Sequence, residues 1–283
     1  MENILVFLKS AFTIMIPVFF ASMGGLFPAL AGNLNIALEG LLLTGAFSSL
    51  TIYFFTGSIA VSVTGAVMAV TALCALHAFA AFKLRSDMFI TGMAVNLLSA
   101  GLCAVLSEKI FKTRGVVALG FHGDTLNVSV LFNLFIILGI LSLIISWIVI
   151  YKTPFGYRLR ACEKSEDALV SLGINPLFYR TAAVLISGFF CALGGSFLSL
   201  NLGAYVSGMS AGKGWVALAV IFLGARKPYG VLAAAFVFAA SECYSNYAQG
   251  FWNIPAYFLH AFPYICALLA MIIVSVIPKN SKI

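Results

Sequence analysis

Apolar residues run along this chain in long blocks rather than in a two-residue alternation, and short polar clusters separate the blocks. The blocks fall at 10–30, 35–55, 58–82, 88–107, 130–151, 181–202, 207–224, 228–247 and 256–277. Each is close to the roughly 20 residues a helix needs to cross a bilayer. In lipid every backbone donor and acceptor must find its partner within its own segment, so the blocks are read as helices. A transmembrane barrel would instead show short alternating strands, and the pattern has none. The expectation is an all-α fold, a polytopic transmembrane helical bundle of about 8–10 spans that includes one broken or short helix. The weak span is the seventh, where Lys213 stands among glycines and only "WVALAVIFLG" (215–224) is strongly apolar.

Composition strengthens the membrane reading. The chain is 62% hydrophobic and 9% charged, with a mean hydropathy of +1.08, which leaves no polar shell for a soluble fold. The net charge of +7 is scattered between the blocks, so it sets orientation and implies no nucleic-acid partner. Six cysteines lack any CxxC spacing and are read as small hydrophobes; His77 and His260 have no second ligand at helical spacing, and His122 lies in an outer loop. No metal site is expected. The first block lacks a charged n-region and a cleavage site, and is read as a retained span.

Loop charge gives the orientation. Segment 152–180 carries Lys152, Arg158, Arg160, Lys164 and Arg180. With it in the cytoplasm, alternation places Lys83, Arg85, Arg226, Lys227, Lys279 and Lys282 on the same side, and Lys109, Lys112, Arg114 and Lys213 outside. Eleven basic residues against four fits the positive-inside rule, with an outside N-terminus.

The same loop is the most structured polar stretch. Ser165 stands where an N-cap belongs, Glu166 and Asp167 follow in the first turn, and Gly173 is placed to end the helix. Asn175-Pro176 opens the next helix. A helix of two turns, 166–172, is too short to persist alone in water, so something packs against it. Exposed Leu169, Val170 and Leu172 are read as a docking surface for a cytoplasmic partner.

Polar groups also occur inside the blocks. Asn35 and Glu39 are four apart and share a face if the second span is helical there. Glycines at 24, 25, 32 and 40 predict a distorted backbone that Asn33, Asn35 and Glu39 can satisfy. Glu39 has two readings, a clamp on a broken helix or a direct contact with cargo. Asn96 and Asn201 are further candidates for a translocation path or for gluing helices together. Small residues at 188, 192, 195 and 199 form a close-packing face. "GMSAGKGW" (208–215) looks like a phosphate loop, but its spacing is one residue short and Gly214 stands where a magnesium-binding hydroxyl belongs. No catalytic constellation is visible, so the chain is not read as an enzyme.

Four stretches carry a family resemblance: "GLFPALAGNLNIALEGLLLTGAF" (25–47), "ITGMAVNLLSAGL" (90–102), "YKTPFGYRLRACEKSEDALVSLGINPLFYRTAAVLISGFFCALGG" (151–195) and "SAGKGWVALAVIFLGARKPYGVLAAAFVFA" (210–239). In this order they resemble the permease subunits of binding-protein-dependent ABC importers for ribose, nucleosides and branched-chain amino acids. The resemblance is to the smaller permease of the nucleoside and simple-sugar branch. It implies one transmembrane permease domain over 1–283, in the bacterial cytoplasmic membrane, with a coupling loop at 152–180. It also implies a second permease subunit, two cytoplasmic ATP-binding subunits that hold ATP and magnesium, and an extracytoplasmic substrate-binding protein; no cofactor belongs to this chain. Glu163, Lys164, Ser165, Glu166, Asp167, Ala168 and Leu169 match the coupling helix. Relatives carry Gly-Glu or Gly-Asn and then Pro before paired alanines, so the tip chemistry departs here, which implies a specially matched ATPase.

The implied substrate path holds Asn35, Glu39, Asn96, Asn201 and Trp215. Its implied cargo is a nucleoside, with ribose-like sugars and riboflavin as alternatives, and Phe20, Phe27, Tyr205 and Trp215 are aromatics near that path. The competing class is a secondary transporter or channel driven by an ion gradient, with Glu39 or Glu242 as the cation site.

Overall fold

The computed structural model describes residues 2–118 and 128–249, together with Ile265 and Ile272. Those two isoleucines aside, the expected span 256–277 lies outside the described residues, as do His122, His260, Cys266, Lys279 and Lys282.

Helices follow the apolar blocks. They are α1 (Glu2–Leu30), α2 (Leu38–Thr56), α3 (Ile59–Ala78, prolonged by a π-helical turn Phe79–Lys83), α4 (Met88–Phe111) and α5 (Val128–Lys152). After them come α6 (Pro154–Lys164), α7 (Glu166–Ser171), α8 (Pro176–Leu202), α9 (Lys213–Leu223) and α10 (Pro228–Ala248). Six of these, α1 to α5 and α8, are long and apolar enough to cross a membrane. At 11 residues α9 rises only about 16 Å, the partial helix that its glycines announced. The second half of α10 is too polar to match the others, with Ser241, Glu242, Ser245 and Asn246.

Local chemistry sets the boundaries. Asp87 starts α4 by accepting hydrogen bonds from the amides of Phe89 (2.8 Å) and Ile90 (3.0 Å). Asn175 does the same for α8 through the Leu177 amide at 3.0 Å, with Pro176 in the first turn. Trp147, Tyr151 and Lys152 mark the membrane boundary at the end of α5, where Lys152 lies 5.7 Å from the centre of the Trp147 ring.

At the centre of the bundle stands α8, whose apolar window is 78% buried against 22% for α4 and α5. Its small residues allow this. Gly188 faces Cys74 of α3, Gly194 faces the Pro17 carbonyl of α1, and Gly195 faces the backbone of α2 at Leu42 and Ala46. A methyl group at Gly188 would come within 2.6 Å of the Cys74 sulfur. Ser199 adds a hydroxyl contact to Ser49 at 2.9 Å. Close backbone approach of this kind is how helices associate without a hydrophobic driving force. The outer helices instead show apolar side chains to the surroundings, Met68 and Leu97 being 74% and 73% exposed.

The two ends of the bundle differ. At one end the described chain forms an antiparallel pair, β1 (Val116–Ala118) with β2 (Ala204–Val206), in the register Val117 to Tyr205. At the other end lie α6, α7, the α9–α10 turn, and Lys83 beside Leu177 and Thr181 at the start of α8.

Candidate functional site

Between α1 and α2 the backbone is not helical over residues 31–37. The chain turns at Gly32, in the left-handed region with φ 81°, and α2 resumes only at Leu38. Asn35 therefore precedes α2 and does not share a helical face with Glu39; the spacing argument assumed a helix that the turn prevents. The freed backbone groups are bonded by asparagines instead. Asn35 accepts from the Ala37 amide at 3.0 Å and donates to the Ser187 hydroxyl of α8 at 2.7 Å. Asn96 of α4 donates to the Ile36 carbonyl at 2.9 Å and accepts from the Gly40 amide at 2.8 Å. In hydrocarbon each of these groups would cost several kcal/mol if left unpaired. Of the three expected braces, Asn33 is the exception, since its side-chain nitrogen is buried without a partner.

Glu39 bonds a second break. One carboxylate oxygen accepts from the Gly212 amide at 2.8 Å and the other from the Gly214 amide at 2.7 Å. These amides open α9, so a full negative charge sits at the positive end of a half-helix. Gly214 has to be glycine, because a Cβ there would lie on the backbone of Glu39. The stretch that mimics a phosphate loop is thus a helix N-terminus, and its anion is a side chain of the same protein. Lys213, expected at the outer side of the weak seventh span, is half-buried as the first residue of α9, after a run of turns over 207–212.

The segment 152–175 is more helical than its sequence predicted. Thr153 accepts from the Gly156 amide at 3.3 Å and, with Pro154 in the first turn, starts α6. That Thr-Pro pair was the available signal for a helix that charge and low hydropathy obscured. Ser165 occupies the N-cap position of α7, yet its side chain makes no capping bond. Gly173 ends the helix at φ 72°, with the Ile174 amide closing on the Leu169 carbonyl at 2.9 Å. Leu169, expected to be exposed, is 5% exposed and packs into the core, while Val170 and Leu172 are 59% and 75% exposed. Arg180 holds α7 to α8, pairing with Glu166 at 2.8 Å and donating to the Cys162 carbonyl at 3.2 Å.

Residues 7–275 match the family described as branched-chain amino acid transport system / permease component. The chain belongs to this family. It is a permease subunit of an ABC importer and a multi-pass membrane protein. The permease is 30% identical to the nucleoside ABC transporter permease protein NupC of Lactococcus lactis over 279 residues, covering 90% of this chain and 87% of that one. It is also 30% identical to the guanosine ABC transporter permease protein NupQ of Bacillus subtilis over 285 residues, again covering 90% and 87%. In fold it is similar to PsaBC from Streptococcus pneumoniae, solved in complex with a Fab, with a TM-score of 0.53, 17% identity, and coverage of 96% of this chain and 92% of that one.

Of the candidate path residues in the permease, Asn35, Glu39 and Asn96 come together at the α1–α2 break, and the first turn of α9 brings Trp215 beside it. Trp215 is 43% exposed. Asn201 stands apart, near the end of α8 that leads to β2. The other aromatics named for the path are core residues: Phe20 is fully buried, Phe27 stacks on Phe190 at 6.1 Å, and Tyr205 packs against Phe47 at 5.1 Å. Their rings are used up in packing, Phe20 against Phe135 of α5, Phe27 against Phe190 of α8, and Tyr205 of β2 against Phe47 of α2.

Proposed function

We propose that this permease carries a nucleoside, and that it works as one transmembrane domain over residues 1–283 beside a second, non-identical permease subunit. The observation that carries this reading is the 30% identity, over 90% of the chain, to two permeases named for nucleosides or guanosine. ATP and magnesium belong to a separate cytoplasmic ATPase, and a binding protein delivers cargo at the end where β1 and β2 pair.

The ATPase docks on α7. Lys164, Ser165, Asp167 and Ala168 are exposed there, flanked by the apolar side chains of Val170 and Leu172. Leu169 supports this surface from behind, while Glu163 and Glu166 are engaged in ion pairs within the chain. Asn35, Glu39 and Asn96 brace the wall of the path, and exposed Trp215 and half-buried Asn201 are its candidates for contact with cargo.

Uptake of labelled guanosine tests the reading, in cells that express or lack this chain. Expected is uptake that depends on the chain, falls with excess unlabelled nucleoside, ignores excess ribose or riboflavin, and persists when the membrane potential is collapsed with ATP present. Competition by ribose or riboflavin instead would reassign the cargo. Loss of uptake with the potential would favour an ion-driven carrier.

A further inference from the structure

Glu163, at the end of α6, touches two chain reversals that are far apart in sequence. On one side its carboxylate pairs with Arg226 at 2.6 Å. On the other, its backbone and side chain lie against Gly32, where a Cβ would come within 3.3 Å of the Glu163 Cα. Arg226 belongs to the tight turn between α9 and α10. It and Ala225 both have φ 53°, a conformation L-residues adopt at a cost, and Gly224 and Gly230 are in direct backbone contact. The Arg226 guanidinium also covers the Phe222 ring at 5.4 Å. A strained turn, locked on both faces, is a poor hinge and a good lever arm.

The other end of α9 is held as firmly, by the two bonds from Gly212 and Gly214 to Glu39. Glu39 stands at the start of α2, and the break before it returns the chain to Gly32 and so to Glu163. These contacts close a ring: Glu163, Arg226, α9, Glu39, the α1–α2 break, Gly32. The loop tip joins the ring stiffly, since Arg180 ties α7 to α8 and also bonds the Cys162 carbonyl next to Glu163.

We propose that the Glu163–Arg226 pair is the joint by which movement of the cytoplasmic loop reaches α9 and the Glu39-held break; this rests on the reading of α7 as the ATPase dock. Arg226 is then a positioning residue, which touches neither cargo nor the ATPase. The ion pair is one-third exposed on both sides, with side-chain exposures of 36% and 35%. Such a pair contributes little to folding, so it can be removed without unfolding the chain. A charge at that place is better explained by transmission than by stability.

The experiment compares the intact importer with Arg226→Gln, with Glu163→Arg, and with the exchanged pair Glu163→Arg/Arg226→Glu. Cargo uptake, ATPase recovery on purification and ATP hydrolysis are measured for each. For Arg226→Gln the expected result is unchanged recovery of the ATPase, continued hydrolysis, and uptake lower by about five-fold or more, the lower end of ordinary coupling between sites. The exchanged pair should regain most of the uptake that either single change loses. Wild-type uptake in Arg226→Gln overturns the proposal, and so does an exchanged pair no better than the single variants. The docking reading fails separately, when the ATPase stays bound to a chain whose Leu172 is made acidic.

Discussion

At the scale of single residues, the importer's intramembrane carboxylate is accounted for by counting donors. Glu39 presents two acceptor oxygens to two amides that no helix can satisfy, and its charge matches the dipole of α9. Glutamine has the same shape but only one acceptor. In Glu39→Gln one amide of the Gly212 and Gly214 pair would face an NH2 group, donor against donor. The expected cost is about 2 kcal/mol, the range for leaving one buried donor unpaired beside a lost charge-assisted bond. That corresponds to a melting temperature lower by about 5 °C for a domain of this size. Thermal unfolding of the purified variant in detergent checks it, and an unshifted transition would mean that the carboxylate is not needed as an acceptor. The clamp reading of Glu39 was legible locally, but what it clamps was not. The glycines around 32 and 212 announced breaks, yet Glu39 and Gly212 are far apart in sequence, and the periodicity of either segment carries no trace of its partner.

At the scale of elements, the short helix α7 is the part that its sequence described best. Its first-turn acids, the glycine that ends it and the Asn-Pro that follows all act locally, so they can be read in order along the chain. What escaped was the face. Leu169, Val170 and Leu172 look alike in sequence, but the close of α7 through Gly173 turns Leu169 into the core and leaves the other two outside. Leu172→Asp therefore places a charge on a solvent-facing position, where it disturbs the fold little. Within a protein interface the same charge would be desolvated without a partner. The expected outcome is normal insertion and a permease that no longer retains its ATPase in mild detergent. Asp at Leu169, by contrast, should fail to accumulate, because it buries a carboxylate in the core. Finding the two variants equally folded and equally able to bind the ATPase would remove α7 as the docking surface.

At the scale of the whole molecule, the basic loops and the element contacts reach the same arrangement by independent routes. Charge counting grouped Lys83, the segment 152–180 and Arg226 on one side; packing brings Lys83 to the start of α8 and Arg226 to Glu163. The paired strands β1 and β2 lie at the other end of α4 and α8, and their pairing was not readable, because three-residue strands have too little pattern to register. Sidedness follows as a prediction. A cysteine placed at exposed Gly115, beside β1, should react with a membrane-impermeant thiol reagent in intact cells. One placed at exposed Ser171, at the end of α7, should react only in inverted vesicles. The labelling is done in a Cys266→Ser background, where the five described native cysteines are buried and free. Among them Cys162, in the polar loop, is further protected: burial pushes its thiol up, against the pull of the Arg180 guanidinium, so little thiolate is available to react. Labelling of both sites from the same side would break the single-bundle alternation on which the orientation rests. Labelling of Ser171→Cys from outside alone would invert the permease, and with it the assignment of α7 to a cytoplasmic ATPase.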